Sequence, residues 1–149
     1  MKEFANIPMF VAFANTLVVE TERNNIRALH RAARIVVKEA KRVLGTYDYG
    51  WVPLAASTLE HKADDTPLLE TEELRDSIWY TIDRPEFQVG SDLQRAVWQE
   101  LGTPRVPARS FLAGAMHRKA ERVAHVLGGT LVNHLASHNI VTDLDEHND

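Results

Sequence analysis

Cysteine is absent from this 149-residue chain. No disulfide can staple it and no thiolate can ligate a metal, which fits a protein made in a reducing compartment. Other signatures are missing too. There is no P-loop, no dinucleotide-binding glycine pattern, no Gly-x-Ser-x-Gly elbow and no His-Glu-x-x-His helix. Each of these fixes a phosphate, a nucleophile or a zinc ion by its geometry, so the enzyme classes they mark are disfavoured. No apolar run reaches the ~20 residues that span a membrane. The richest, residues 7–19, is interrupted by Pro8, Asn15 and Thr16. Ala12-Phe13-Ala14 resembles a signal cleavage site, but Lys2 is cancelled by Glu3 and Pro8 breaks the apolar run, which argues against a signal peptide. Residues 7–19 are expected as a first strand or a lead-in packed on the core. Internal repeats, low-complexity tracts and a clear domain boundary are also lacking.

What is present suits one globular domain with a real core. The chain is 44% hydrophobic and 26% charged, ordinary values for a soluble protein. Its net charge of −4 gives no general attraction to nucleic acid. The expected organisation is one domain over residues 1–140 and a flexible acidic tail over 141–149, with Asp143, Asp145 and Glu146 in the tail.

Residues 21–44 carry the strongest helical pattern. Ile26, Leu29, Ala33, Val36, Val37, Ala40 and Leu44 recur at three- and four-residue spacing, as a core-facing stripe does. Gly45 is placed to end the helix. The opposite face is basic: Arg23, Arg27, Arg31, Arg34, Lys38 and Lys41 repeat at four and three, which aligns them. One reading is a solvated helix face. The other is a surface that meets a polyanion or an acidic neighbour, since Glu39 is the only acid after Glu22 and a merely solvated helix more often mixes its signs.

Residues 46–66 read as an irregular loop with Tyr47, Tyr49, Trp51 and Pro53; Ser57-Thr58 is placed to cap a helical turn reaching Lys62. Long loops in compact domains are usually functional or mobile. This one either contacts a partner through its aromatics or buries them against its own core. Leu68, Leu69 and Leu74 are expected to face inward from a short turn or helix. Residues 77–82 alternate, with Ile78, Tyr80 and Ile82 on one face and Ser77, Trp79 and Thr81 on the other, and pair with 87–89 as a hairpin. Ser91 with Gln94 forms a capping box for a helix over 92–101, whose apolar side is Ala96, Val97 and Leu101. A last helix over 111–127 is expected to break at Gly128-Gly129, with a short resumption over 130–137. The order defines an α+β fold: a long N-terminal amphipathic helix and a C-terminal helix packed on a small antiparallel sheet.

Between the last two helices, residues 100–112 read Glu-Leu-Gly-Thr-Pro-Arg-Val-Pro-Ala-Arg-Ser-Phe-Leu. Gly102 stops one helix, Pro104 and Pro107 stiffen the link, and Ser110 is placed to cap the next helix. Arg105 and Arg109 are then held in fixed positions, and Arg109 is expected to bond a carboxylate or carbonyl, within the chain or across a subunit interface. Catalytic readings are weak. His134 and His138, four apart, could share a metal, but only the tail offers a nearby acid, and His117 and His125 add little. Glu70, Glu72, Glu73 and Asp76 contain carboxylate pairs but suit a solvated turn better.

Ordered blocks carry a family resemblance. They are Trp51-x-Pro53-Leu54, Ser57-Thr58 with Lys62, Pro67-Leu68-Leu69-x-Thr71, Leu74-Arg75-x-Ser77-Ile78, Val89-Gly90-Ser91, and Glu100-x-Gly102-Thr103 leading to Pro107-x-Arg109-x-Phe111-Leu112. In this order the chain resembles the virion morphogenesis, or tail completion, proteins of long-tailed bacteriophages, the group to which the phage Mu G protein and its lambdoid counterparts belong. Two positions depart from the family pattern: Glu72 follows Thr71 where the family has glycine, and Ser110 replaces a proline. The resemblance implies a structural role without turnover or cofactor. Such a subunit completes the tail or neck and joins it to the DNA-filled head in the virion, after assembly in the host cytoplasm. It acts as a ring, commonly a hexamer, beside connector and tail-terminator or tail-tube proteins. Tail terminator and head-closure rings are the neighbouring alternatives. On this reading the basic helix face lines a DNA channel with nonspecific contact or meets an acidic neighbour, while Tyr47, Tyr49, Trp51, Trp79, Arg105 and Arg109 are candidate subunit contacts. A nonspecific nucleic-acid-binding module using the same basic face is the alternative of another class.

Overall fold

The computed structural model describes the backbone of residues 7–62, 64–68 and 72–137, and their side chains except at 7–18, 20, 21 and 130–137. His138, the 141–149 segment, Leu69, Glu70 and Thr71 lie outside the described residues, as does the His134 side chain. The elements are α1 (Ile7–Val43), α2 (Ala56–Leu59), α3 (Glu73–Asp76), β1 (Ile78–Asp83), β2 (Glu86–Ser91), α4 (Gln94–Leu101) and α5 (Leu112–Ser137). The fold is α+β, with a long helix at each end of the order and one two-stranded antiparallel sheet.

Two terminal expectations are corrected. Residues 7–19 are neither strand nor lead-in: α1 already begins at Ile7. Pro8 falls in the first turn, where its missing N–H has no intrahelical partner to lose, and Asn15 and Thr16 are only mildly unfavourable in a helix. Nor do Gly128 and Gly129 break α5, which runs on to Ser137. Glycine weakens a helix by up to about 1 kcal/mol but keeps its donor, so continuous bonding carries the backbone through.

Contacts divide the chain into two compact units, residues 1–32 with 122–149, and residues 33–121. In the first, Ala28, Leu29, Ala32 and Val123 are buried, and Arg23, Arg27 and Arg31 are exposed.

The second unit holds the sheet and the larger set of buried residues. Ala33, Val36, Ala40 and Val43 continue the apolar stripe of α1 and are buried, as are Leu74, Ile78, Ala96, Phe111 and Ala115. Leu44 follows as the last buried residue of the stripe, and Gly45, at φ 85°, turns the chain and donates to the Pro67 carbonyl at 2.8 Å. The hairpin pairs Ile78 with Ser91 through Asp83 with Glu86. Its open end is tied by the Ser77 and Ser91 hydroxyls, 2.7 Å apart.

Three local expectations fail for physical reasons. The turn of α2 forms, but Ser57 and Thr58 lie inside it and no side chain caps it. The start of α4 has no capping box: its N-cap is Leu93, and the Ser91 hydroxyl instead accepts from the Leu93 N–H at 3.1 Å. Finally, Ala96 is the buried apolar residue of α4, whereas Val97 (45% exposed) and Leu101 (74%) face solvent with Trp98 (52%). The inward side is completed by the polar residues Arg95 and Gln99, a choice that apolar spacing alone does not reveal.

Candidate functional site

The 100–112 corner organises the second unit. Gly102 ends α4 at φ 76°; a Cβ there would lie 2.9 Å from the Ala108 nitrogen and 3.1 Å from the Val106 carbonyl oxygen. Thr103 and Val106 close a tight turn by exchanging backbone bonds of 2.8 and 3.2 Å. The chain then returns along α4, where the Arg109 N–H donates to the Gln99 carbonyl at 2.6 Å.

The cap of α5 comes from an unexpected residue. The Glu100 carboxylate, at the end of α4, accepts from the N–H groups of Leu112 and Ala113, both at 2.9 Å, and from the Ser110 hydroxyl at 2.8 Å. A negative group at a helix N-terminus satisfies orphan donors and suits the helix dipole. Ser110, expected to cap the helix, instead helps hold the carboxylate that does.

Arg109 is buried, only 5% exposed, and its Nη2 donates to the Val52 carbonyl at 3.1 Å. Its Nε is buried without a hydrogen-bond partner, as are Arg95 Nε and Gln99 Oε1. These three residues line an open cleft of about 830 Å³ between the 52–58 segment, α4 and the 103–107 turn. Its basic side chains are His61, Lys62, Arg95, Arg105 and Arg109, and among the described residues no acidic side chain lines it. Apolar surface comes from Val52, Leu54, Leu68, Leu74, Val106 and Pro107. Two of the lining groups are tied elsewhere: Lys62 donates to Thr66, and Arg95 Nη2 donates to Glu73 at 2.6 Å. Arg105 is exposed at the rim.

The aromatic loop is used within the chain. Tyr49 donates to Glu39 Oε1 at 3.1 Å, meets Trp51 edge-on with ring centroids 5.5 Å apart, and lies under the Arg118 guanidinium at 4.5 Å. Its ring packs so closely on Gly114 that a Cβ there would approach it to 2.7 Å. Tyr47 donates to Asp65 and accepts from the Leu54 N–H. Of the two readings of this loop, internal packing therefore describes both tyrosines. Trp79, by contrast, stands on the outer side of β1 at 45% exposure.

Glu39 is the electrostatic centre of this region. It is 4% exposed and accepts from Arg42 Nη2 at 2.7 Å and Nε at 3.0 Å, with Lys119 at 3.3 Å. The Arg42 bonds chiefly hold its pKa at about 2, against the opposing effect of burial. Burial, followed by the bond to Glu39, pushes the Tyr49 hydroxyl up to about 12.

The remaining candidates are dispersed. Arg34 and Lys38 are exposed and Lys41 half-buried on α1, with Arg34 Nε donating to the Tyr80 hydroxyl at 3.4 Å. Glu72 and Glu73 are paired with Arg75 and Arg95. His117 and His125 are exposed on α5. Among the described residues no cluster of three or more His, Asp or Glu side chains could hold a metal ion, and no helix is long and apolar enough to cross a membrane.

Sequence reasoning missed the outward face of α4. Gln94, Val97, Trp98 and Leu101 are all exposed, and their spacing puts them on one side of the helix. No protein-family model, curated protein or solved structure matches the chain.

Proposed function

We propose that the chain is a structural subunit of a long-tailed bacteriophage virion, a tail-completion or neck component that works as a ring between the tail and the DNA-filled head. The observation that carries this reading is the ordered set of sequence blocks between Trp51 and Leu112. It gains support from where those blocks meet: Pro53 with Leu54, Lys62, Leu68, and Pro107 with Arg109 come from four of the blocks and line one cleft. A ring needs two different patches on each subunit. The cleft and the exposed Val97-Trp98-Leu101 face of α4 are two such surfaces.

The test is native mass spectrometry of the purified protein, alone and with purified phage tails. A defined ring, or stoichiometric addition to the tails, is expected. A monomer that adds to no tail would overturn the proposal.

The second reading, a nonspecific nucleic-acid-binding module, is favoured by the exposure of Arg23, Arg27, Arg31, Arg34 and Lys38 on α1. It requires DNA affinity that falls steeply with salt and disappears when Arg27, Arg31 and Arg34 become Glu.

A further inference from the structure

The cleft combines features that an ordinary surface depression lacks. Five cationic or imidazole side chains line it and, among the described residues, no carboxylate does, in a chain whose net charge is −4. Arg109 is more than nine-tenths buried beside it and leaves Nε unpartnered, and Gln99 Oε1 is likewise buried without a donor. Buried polar groups without partners are costly, so an occupant that hydrogen-bonds to them relieves a standing penalty. Its volume of about 830 Å³ lies near the top of the ~300–1,000 Å³ range of ligand sites, enough for several side chains of an extended peptide.

The lining restricts the occupant. A phosphate chain would use the cations but not the apolar surface of Val52, Leu54, Leu74 and Val106. A hydrophobic peptide would leave the buried Arg109 Nε without an acceptor. The chemistry that fits is a peptide with carboxylates interleaved with aliphatic side chains. Residues 141–149 are such a segment: Asp143, Asp145 and Glu146 flank Leu144 and follow Val141.

We infer that the cleft is a receptor for the acidic 141–149 segment of a second copy of this chain, Arg105 and Arg109 meeting its carboxylates and the apolar lining receiving Leu144. The inference rests on the ring proposal only for the presence of neighbouring copies.

The experiment is a titration of the intact protein into a fluorescein-labelled peptide with the sequence of residues 138–149, read by anisotropy. Saturable binding is expected, weaker by about tenfold or more in the Arg105→Glu variant, whose side chain is exposed, and lost with a peptide carrying Asn, Asn and Gln at 143, 145 and 146. Serine in place of Leu144 should also weaken binding, which a purely electrostatic contact would not show. A folded His61→Glu variant, checked by circular dichroism, provides a second probe of the rim and should bind more weakly. Absence of saturation at millimolar protein would overturn the inference, as would binding indifferent to both rim variants. Displacement by oligothymidylate or inorganic polyphosphate at equal charge, with no dependence on Leu144, would overturn it in favour of a phosphate site. Peptide binding with no ring or tail association would leave the cleft assignment standing and remove the virion proposal. Ring formation without peptide binding would do the reverse.

Discussion

Replacing Glu39 by Gln removes the one buried carboxylate among the described residues of the second unit while nearly preserving its shape. A carboxyl held at about 2 instead of 4.5 favours the folded, charged state by about 3 kcal/mol, at 1.36 kcal/mol per pH unit. The partners moderate the loss at neutral pH: Arg42 is 48% and Lys119 33% exposed, so both can return to water. A glutamine amide, however, turns a donor toward groups that are themselves donors. Glu39→Gln is therefore expected to lose about 3 kcal/mol at neutral pH, equivalent to roughly 6–12 °C in Tm for a chain of this size. The pH dependence supplies the sharper criterion. Because the folded value is depressed, Glu39 contributes fully above the unfolded value of 4.5 and progressively less as pH falls toward 2. Urea denaturation of both proteins across this window should show the wild type converging on the variant. The other carboxylates cancel in the difference. A neutral-pH loss below about 1 kcal/mol, or a constant difference down to the lowest pH at which both fold, would refute the reasoning.

Other substitutions test the remaining parts of the structure. Glu100→Ala removes the carboxylate from the first amides of α5 and should cost about 1 kcal/mol in chemical denaturation, with faster amide exchange at Leu112 and Ala113. Gly102→Ala meets the Ala108 nitrogen at 2.9 Å in a left-handed conformation and should destabilise by about 1–3 kcal/mol, measurable as a lowered urea midpoint. Gly128→Ala and Gly129→Ala encounter no atom within 4 Å and should each stabilise by about 0.4–1 kcal/mol in thermal melts. Replacing Val97 and Leu101 together by Ser should leave stability almost unchanged and weaken self-association in sedimentation experiments, since both already face solvent.

The periodic parts of this fold could be read from the chain. The apolar stripe of α1 is buried at Leu29, Ala33, Val36 and Ala40, and the alternation around Ile78 located β1. Where reading failed, single residues carried too much weight. Pro8 and Gly128-Gly129 look like barriers in the sequence, although proline is harmless in a first turn and glycine keeps its backbone donor. Ser91 and Ser110 both have capping chemistry, but their hydroxyls are used one step away from the expected cap. The cap on α5 comes from Glu100, which lies in another element, and no local pattern announces a tertiary cap. On α4, spacing located the apolar residues but not their direction, because Arg95 and Gln99 occupy the inward side. The cleft was legible only in part: Arg105 and Arg109 stood out, but their convergence with Lys62 and Leu54 depends on contacts distant in sequence.

The Glu100 cap has a mechanical consequence. Eight residues give α4 barely two turns, too short for helix propensity alone to hold it, so its position is set by what it touches. Its inward side presents Arg95 and Gln99 to the cleft, its outward side presents Val97, Trp98 and Leu101, and its last turn grips the first amides of α5 through Glu100. A load applied to either side of α4 therefore reaches the beginning of α5 through the Glu100 carboxylate as well as through the 102–111 link.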